Sequence, residues 1–357
     1  MTEGNLIEID GSYGEGGGSI LRLGAAYSIL FNRPIKIKNI RANRPKPGLR
    51  LQHLLGLKLL SEVTNSSLSP CGIGSEEISL IPHSLNDVKS FSELSVSTAA
   101  SIGLLLQPIQ IASLGLKKSD KIEIFTRGGG TYGKWAPSIN YLKQVTYKIF
   151  ERSGLKLDVD IQKHGFYPKG GAILTCKIHP SKEELKPINL TELGTIDLIQ
   201  GEIIITNHLR RNRDNIGLRI KKSIQQQLKK NVKIETDIKY TWVDSISPGV
   251  GASLWAQSDS GAIISTGTFL GEKKMSSGKL GFIVAQELLT YIKNEIPVDN
   301  YLCDQLIPLM GYVKKPSSIK VSEITRHTQT NLDLIKFFTT REYKIEKHAK
   351  YSIISFR

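Results

Sequence analysis

The sequence predicts an α/β fold, α+β in its layering: a large domain of repeated β-α-β-α-β-β units with a smaller α/β domain set into it. Two observations carry this expectation. Strand-like and helix-like runs recur in one order twice over, in units of about eighty residues. That order then breaks, and it resumes only near the C-terminus. A chain of 357 residues also exceeds what one small core needs.

The first unit reads as strand LIEID (6–10), helix GGSILRLGAAYSIL (17–30), strand IKIKNIRA (35–42) and helix LRLQHLLGLKLLSEV (49–63). An extended pair follows, up to about Ile81. The second unit reads as strand SELSVS (92–97), helix TAASIGLLLQPIQIASLGL (98–116), strand KIEIFTR (121–127) and helix PSINYLKQVTYKIFERSG (137–154). It closes with a hairpin-like pair at 155–165 and 172–180. A third, partial unit has helix LCDQLIPLMGY (302–312), strand IKVSEIT (319–325), helix NLDLIKFFTT (331–340) and strands at 343–347 and 351–357. Between them the pattern changes to strand GEIIIT, the basic helix IGLRIKKSIQQQLKK, three strand-like runs and a helix at 279–295. The polar stretch Ser181–Leu190 reads as an entry linker and Ile296–Pro297 as the exit. The expected division is therefore 1–181 with 297–357 as the core, and 182–296 as the insert.

Composition narrows the function. The apolar share is 39%, ordinary for a globular protein, and no apolar run nears the roughly 20 residues that span a bilayer. The N-terminal MTEGNLIEIDG lacks the basic flank and apolar stretch of a signal peptide. Cys71, Cys176 and Cys303 stand far apart with no C-x-x-C pair, which argues against a zinc knuckle or redox dithiol and suits reduced thiols in a cytoplasmic protein. The net charge of +15 favours a polyanionic partner, or else provides a solubilising surface. Its clusters are more telling: Arg41, Arg44, Lys46 and Arg50 in one segment, and Arg210, Arg211 and Arg213 in another.

Several short patterns could carry chemistry. Gly14-Glu15-Gly16-Gly17-Gly18 follows a strand and opens a helix, an arrangement that lets backbone N–H groups meet an anion. It fails the dinucleotide fingerprint, because Ser19 stands where Gly or Ala is needed. A carboxylate in such a loop repels phosphate unless a cation intervenes, so Glu15 is a candidate ligand for Mg²⁺ or Mn²⁺; alternatively it complements the helix dipole. Gly128–Lys134 has P-loop spacing, but Trp135 replaces the metal-holding Ser or Thr. In Arg41–His53, RANRPKPGLRLQH, two prolines stiffen a cationic loop, and Arg forks suit phosphate oxygens. The bland reading is a solvated basic loop. His327 lies in HTQTN just before a predicted helix, where Thr330 and Asp333 also make a capping pattern. No Lys-x-Asp-Gly sequence offers a lysine nucleophile; imidazole is the natural substitute near neutral pH.

Together these pieces resemble the RNA 3′-terminal phosphate cyclase family. The matching stretches are DGSYGEGGGSILR (10–22), IRANRPKPGLRLQHL (40–54), TAASIGLLLQ (98–107), GGTYGKWAPSINYL (129–142), HGFYPKGGA (164–172), YLCDQL (301–306) and HTQTN (327–331). They fall in order over nearly the whole chain outside the insert. The resemblance implies three β-α-β-α-β-β units and an insert of four strands and two helices with thioredoxin-like topology. It implies that His327 is adenylated by ATP, that Gln107, Pro137, Tyr301, Leu302, Cys303, Asp304 and Gln305 hold ATP, and that Glu15 binds the metal. It places Arg22, Arg41, Arg44 and Gln52 near the reacting phosphates. The implied partner is RNA with a 3′-phosphate end, with no membrane and with a homo-oligomer left open. Ser19, Leu51, Cys303 and Ala172 depart from the family pattern without removing a charged or nucleophilic group. Two alternatives stand beside this: a non-catalytic cyclase-like protein of RNA binding or ribosome assembly, and an enolpyruvyl-transferase-like enzyme of similar repeats.

Overall fold

The computed structural model describes residues 6–14, 16–85, 87–116, 121–181, 183–210 and 215–357. It is a mixed α/β structure with four sheets among its described residues. In the first, β1 (Ile7–Asp10) and β2 (Ile35–Lys38) run parallel, with α1 (Gly18–Leu30) between them in the chain. Helix α2 (Leu51–Val63) then leads to β3 (Ser67–Leu68) and β4 (Ile78–Ile81), giving the order β1-β2-β4-β3. In β2, Ile35 and Ile37 are buried while Lys36 and Lys38 are not, the period-two signature of a half-buried strand. The strand predicted over 35–42 stops at Lys38, because Asn39 and Arg41 take φ of 53° and 57°, outside the extended region that a non-glycine residue keeps in a regular strand.

In the second sheet, β5 (Phe91–Ser101) lies parallel to β6 (Ile122–Gly130), with α3 (Ile102–Ala112) between them in the chain. Next come α4 (Ile139–Tyr141), a π-helical turn Leu142–Thr146 and α5 (Tyr147–Ser153), then β7 (Lys156–Lys163) and β8 (Ile173–His179). The order is β5-β6-β8-β7. The helix predicted from Thr98 begins only at Ile102. Ser101 still pairs with Gly130 in the sheet, and its Oγ caps α3 by accepting from Leu104 N at 3.3 Å. The helix predicted over 137–154 is one run broken by the π turn, and it ends at Gly154 with φ of 113°.

Residues 189–190, at the end of the stretch read as a linker, form β9 (Asn189–Leu190). The chain then builds a five-stranded sheet from β10 (Ile196–Thr206), β11 (Glu235–Val243), β12 (Val250–Ser258), β13 (Ile263–Ser265) and β14 (Phe269–Leu270). Its order is β11-β10-β12-β13, with β14 also on β12. Helices α6 (Ile216–Asn231) and α7 (Ser277–Lys293) pack on each other beside it. Buried Ile220, Ile224 and Leu228 recur every four residues along α6, while Arg219, Lys222, Lys229 and Lys230 stay exposed. Burying each such aliphatic side chain stabilises by about 1.5–3 kcal/mol.

The last part contains α8 (Asn300–Tyr312), β15 (Ser317–Val321), α9 (Arg326–Ile335), β16 (Tyr343–Lys347) and β17 (Ser352–Phe356). Its sheet has the order β16-β17-β15-β9. Strand β9 pairs parallel with β15, Asn189 opposite Ser318 and Leu190 opposite Ile319, and Val298 bridges Val321 in the same sense. Each four-stranded sheet thus has one parallel pair and two antiparallel ones. One large apolar cluster runs through these layers, with a small satellite of Tyr132, Phe166 and Ile204 in which the Tyr132 and Phe166 rings stack 4.9 Å apart. Among the described residues no helix is long and apolar enough to cross a membrane.

Candidate active site

The glycine turn after β1 is the centre of the site, because two distant segments press against it. Gly14 and Gly16 take left-handed φ of 61° and 54°, which glycine adopts without steric cost. A Cβ on Gly14 would collide with Thr330 Oγ1 of α9. One on Gly16 would lie 2.9 Å from Asn43 Nδ2, and one on Gly17 would lie 2.8 Å from Arg44 Nη2. One on Gly18 would strike His53 Nε2 of α2. The turn, the basic segment 41–53 and the HTQTN helix therefore meet at one place. Glu15, the expected metal ligand, lies outside the described residues.

The cationic side chains have distinct roles. Arg22, half-buried on the first turns of α1, donates Nε to Gln107 Oε1 of α3 at 3.0 Å, and burial lowers its pKa to about 10. It is still a cation at neutral pH. Arg41 donates Nη1 to the carbonyls of Lys46 and Gly48 at 2.7 and 2.9 Å, so it staples its own loop into shape. Burial, then Arg50 and Arg44, push its pKa down. Arg44 is exposed and reaches the edge of the turn at Gly17. Gln52 accepts from Ser101 N at 2.9 Å, tying α2 to the start of α3.

His53 closes the RANRPKPGLRLQH run, but its place there assigns it no role. Its Nδ1 accepts from Arg50 N at 3.2 Å, and burial, then Arg22, Arg41 and Arg50, drop its pKa to about 3. The neutral ring with Nδ1 accepting carries its proton on Nε2, the atom that faces Gly18. It is a fixed, uncharged donor at the mouth of α1. The available signal was its place three residues after Arg50 at a helix start, which is a weak one.

His327 is exposed and is the second residue of α9, not the residue before a helix. The cap is Thr325, whose Oγ1 accepts from Thr328 N at 3.0 Å; the Thr330–Asp333 pattern does not mark the start. A helix N-terminus beside His327 favours negative charge there. Asp304 of α8 fixes this helix: its Oδ1 accepts from Thr325 Oγ1 at 3.2 Å and from Thr328 Oγ1, while its carbonyl accepts from Asn331 Nδ2 at 2.8 Å. Tyr27 of α1 donates its OH to Asn331 Oδ1. So α9 is locked to both α8 and α1.

The YLCDQ segment forms the start of α8. Asp299 caps it, accepting from Tyr301 N and Leu302 N at 3.0 and 2.9 Å, from Tyr141 OH at 2.9 Å and from Ser265 N at 3.1 Å. Burial raises the Asp299 carboxyl to about 7 against those four donors. Tyr301 is half-exposed beside Gly267, with its ring 6.2 Å from Tyr141. Gln305 donates to Tyr301 O at 3.1 Å and accepts from Thr146 Oγ1 at 2.9 Å. Leu302 and Cys303 are fully buried, so the face of this turn that a ligand can touch is Tyr301, Asp304 and Gln305. Pro137 lies at the other side, its carbonyl 3.2 Å from where a Cβ on Gly103 of α3 would be. Gly128–Lys134 is no phosphate loop. Gly128 to Gly130 end β6, a Cβ on Gly128 would strike the Val96 carbonyl, and Lys134 pairs with Glu272 at 2.6 Å. Among the described residues no group of three or more His, Cys, Asp or Glu is placed to hold a metal ion.

Comparison with known proteins shows the family. The family model for RNA 3′-terminal phosphate cyclase matches residues 13–345. A protein of Thermococcus kodakarensis named RNA 3′-terminal phosphate cyclase is 34% identical over 340 residues, covering 95% of this chain and 94% of that protein. Proteins of the same name from Pyrococcus abyssi and Pyrobaculum aerophilum are 35% and 34% identical, covering 96% and 97% of this chain and 95% and 97% of their own lengths. On a match of that length and those identities, running through the glycine turn, the basic segment and the HTQTN helix alike, this chain belongs to the RNA 3′-terminal phosphate cyclase family.

Proposed function

We propose that this protein is an ATP-dependent ligase of the cytoplasm that converts an RNA 3′-phosphate into a 2′,3′-cyclic phosphate through a histidine–AMP intermediate. The observation that carries the proposal is the meeting of Gly14 with Thr330, Gly17 with Arg44 and Gly18 with His53 at one helix N-terminus. Phosphate is the ligand that such a cluster of N–H groups and cations suits.

In the first step the His327 imidazole attacks the α-phosphorus of ATP, a P–N bond forms and pyrophosphate leaves. An oxygen of the RNA 3′-phosphate then attacks the same phosphorus and the imidazole leaves, giving an RNA–adenylate anhydride. The 2′-OH attacks the 3′-phosphorus, loses its proton, and AMP departs. Each step gathers anions, which Arg22, Arg44 and the α9 N-terminus offset. The last is intramolecular, so its nucleophile is already positioned. Tyr301 and Pro137 flank the space proposed for the adenine, with Gln107 and Gln305 as polar partners. Glu15 is the carboxylate proposed to hold a divalent cation, which would offset negative charge on the transferring group.

We also read the three like-connected sheets as three units of one repeat, and residues 182–296, apart from β9, as a small domain inserted into the third. Strand β9 supplies the first strand that a partial third unit lacked.

The test is incubation with α-labelled ATP and Mg²⁺. The protein should acquire acid-labile, base-stable AMP, and His327→Ala should lose the label while staying folded, because His327 is exposed. Undiminished labelling in folded His327→Ala sinks the mechanism. RNA binding without any labelling in the parent would instead indicate a non-catalytic cyclase-like protein.

A further inference from the structure

Trp135 has no structural reason to be a tryptophan. It is 97% exposed, the highest value among the described large hydrophobic residues. Its backbone also takes a left-handed φ of 58°. That conformation suits Gly or Asn and strains a bulky residue, and strain retained at an exposed position points to a use in binding or catalysis. An indole in water gains nothing from burial there, so packing cannot account for it.

Its surroundings say what the ring meets. Lys134 pairs with Glu272 at 2.6 Å, which ties the Gly133–Pro137 segment to the turn after β14. Ser138 Oγ and Thr268 Oγ1 form a second tie at 2.6 Å. Lys273 and Lys274 follow Glu272, and both are exposed. These two tied segments thus carry three lysines and one carboxylate, and one of them carries the exposed indole. Pro137, beside the proposed adenine space, is only two residues on, at most about 7 Å of chain. An aromatic face among cations, next to a site that handles a nucleic-acid end, matches single-stranded RNA: the base stacks on the ring and the lysines attract its backbone.

We infer that Trp135 is a stacking platform for a base of the single-stranded RNA leading to the reacting 3′ end. The inference rests on the cyclase reading. Stacking is indifferent to base identity, so it adds affinity without sequence preference. It makes the ring a binding residue for RNA and leaves adenylation by ATP alone to other groups.

The experiment compares the parent with Trp135→Asn and Trp135→Phe, using a dye-labelled 3′-phosphorylated oligouridylate for binding and α-labelled ATP for adenylation. Trp135→Asn should weaken RNA binding roughly 5- to 100-fold, and Trp135→Phe less. The thermal midpoint of Trp135→Asn should stay level or rise, because Asn tolerates the left-handed backbone. AMP labelling without RNA should be unchanged. Equal RNA affinity in Trp135→Asn, a midpoint lowered by several degrees, or weakened labelling with RNA affinity intact would each overturn the inference. If the parent itself neither takes AMP nor binds RNA, the cyclase reading falls with it. If the parent does both and Trp135→Asn binds as tightly, only the stacking role falls.

Discussion

Arg22 Nε donates to Gln107 Oε1 across 3.0 Å, so the first helix and the third are joined beside the glycine turn by a cation and an amide 85 residues apart in sequence. The bond aims the guanidinium as well as holding it. Gln107→Leu removes the acceptor from a half-buried donor, and stability should drop by about 1–3 kcal/mol in urea unfolding. Gln107→Glu keeps an acceptor and adds a charge partner, so it should recover most of that loss. A silent Gln107→Leu would mean that water serves Arg22 equally well.

Gly18 and His53 form a second pair, tested by a double-mutant cycle. Gly18→Ala places a Cβ against His53 Nε2 and should destabilise by about 1–3 kcal/mol. His53→Ala makes room for that methyl group, so the double variant should be more stable than the sum of the singles, with a coupling of about 0.5–3 kcal/mol. Additive losses would show that the two positions are not in contact.

His53 also gives a pH signature. Its folded pKa is held at about 3, well below the ordinary 6.5. Below pH 6.5 the unfolded chain takes up a proton that the folded ring refuses. This contribution to stability is therefore lost as pH falls from 6.5 towards 3, and it is level above 6.5. At pH 5 the loss is about 2 kcal/mol, from roughly 1.5 pH units at 1.36 kcal/mol each. His53→Gln should flatten this part of the profile, which unfolding at pH 7.5 and pH 5.0 will show. Parallel profiles for the two proteins would place the acid sensitivity elsewhere.

The long periodic elements were legible because burial imposes their period. The Ile35–Ile37 alternation and the Ile220–Ile224–Leu228 stripe are both written in residue type. Elements decided by tertiary contacts were not. Thr98 to Ser101 have no strong preference of their own, and the pairs Val96–Gly128 and Ser101–Gly130 on either side of an irregularity hold the stretch in β5. Two residues cannot display a period, so β9 is invisible until β15 is placed beside it. In the site, motifs indicated which segments matter but not which atoms face each other. Arg41 was expected near phosphates, yet its Nη1 is engaged with two carbonyls of its own loop. His53 matters through an environment that no local pattern encodes, namely three arginines and a glycine from another helix.

Strand β15 has a further property. Leu190 pairs with Ile319 and Val298 bridges Val321, both parallel and on the side of β15 away from β17. The chain departs and returns at points only two strand residues apart, about 7 Å. Residues 191–297 are therefore an excursion whose ends are already held together by the sheet they left. The entropy of closing a long loop grows only slowly with length, and here pairing on β15 fixes both ends whatever lies between. Length and content of the excursion can change at little cost to the strands on either side. Contacts do cross that boundary, among them the Lys134–Glu272 pair, the Asn140–Glu202 hydrogen bond, the Ser265 N–H on Asp299 and the Gly267 backbone beneath Tyr301. Through the last two of these, a change in the five-stranded sheet would reach the start of α8.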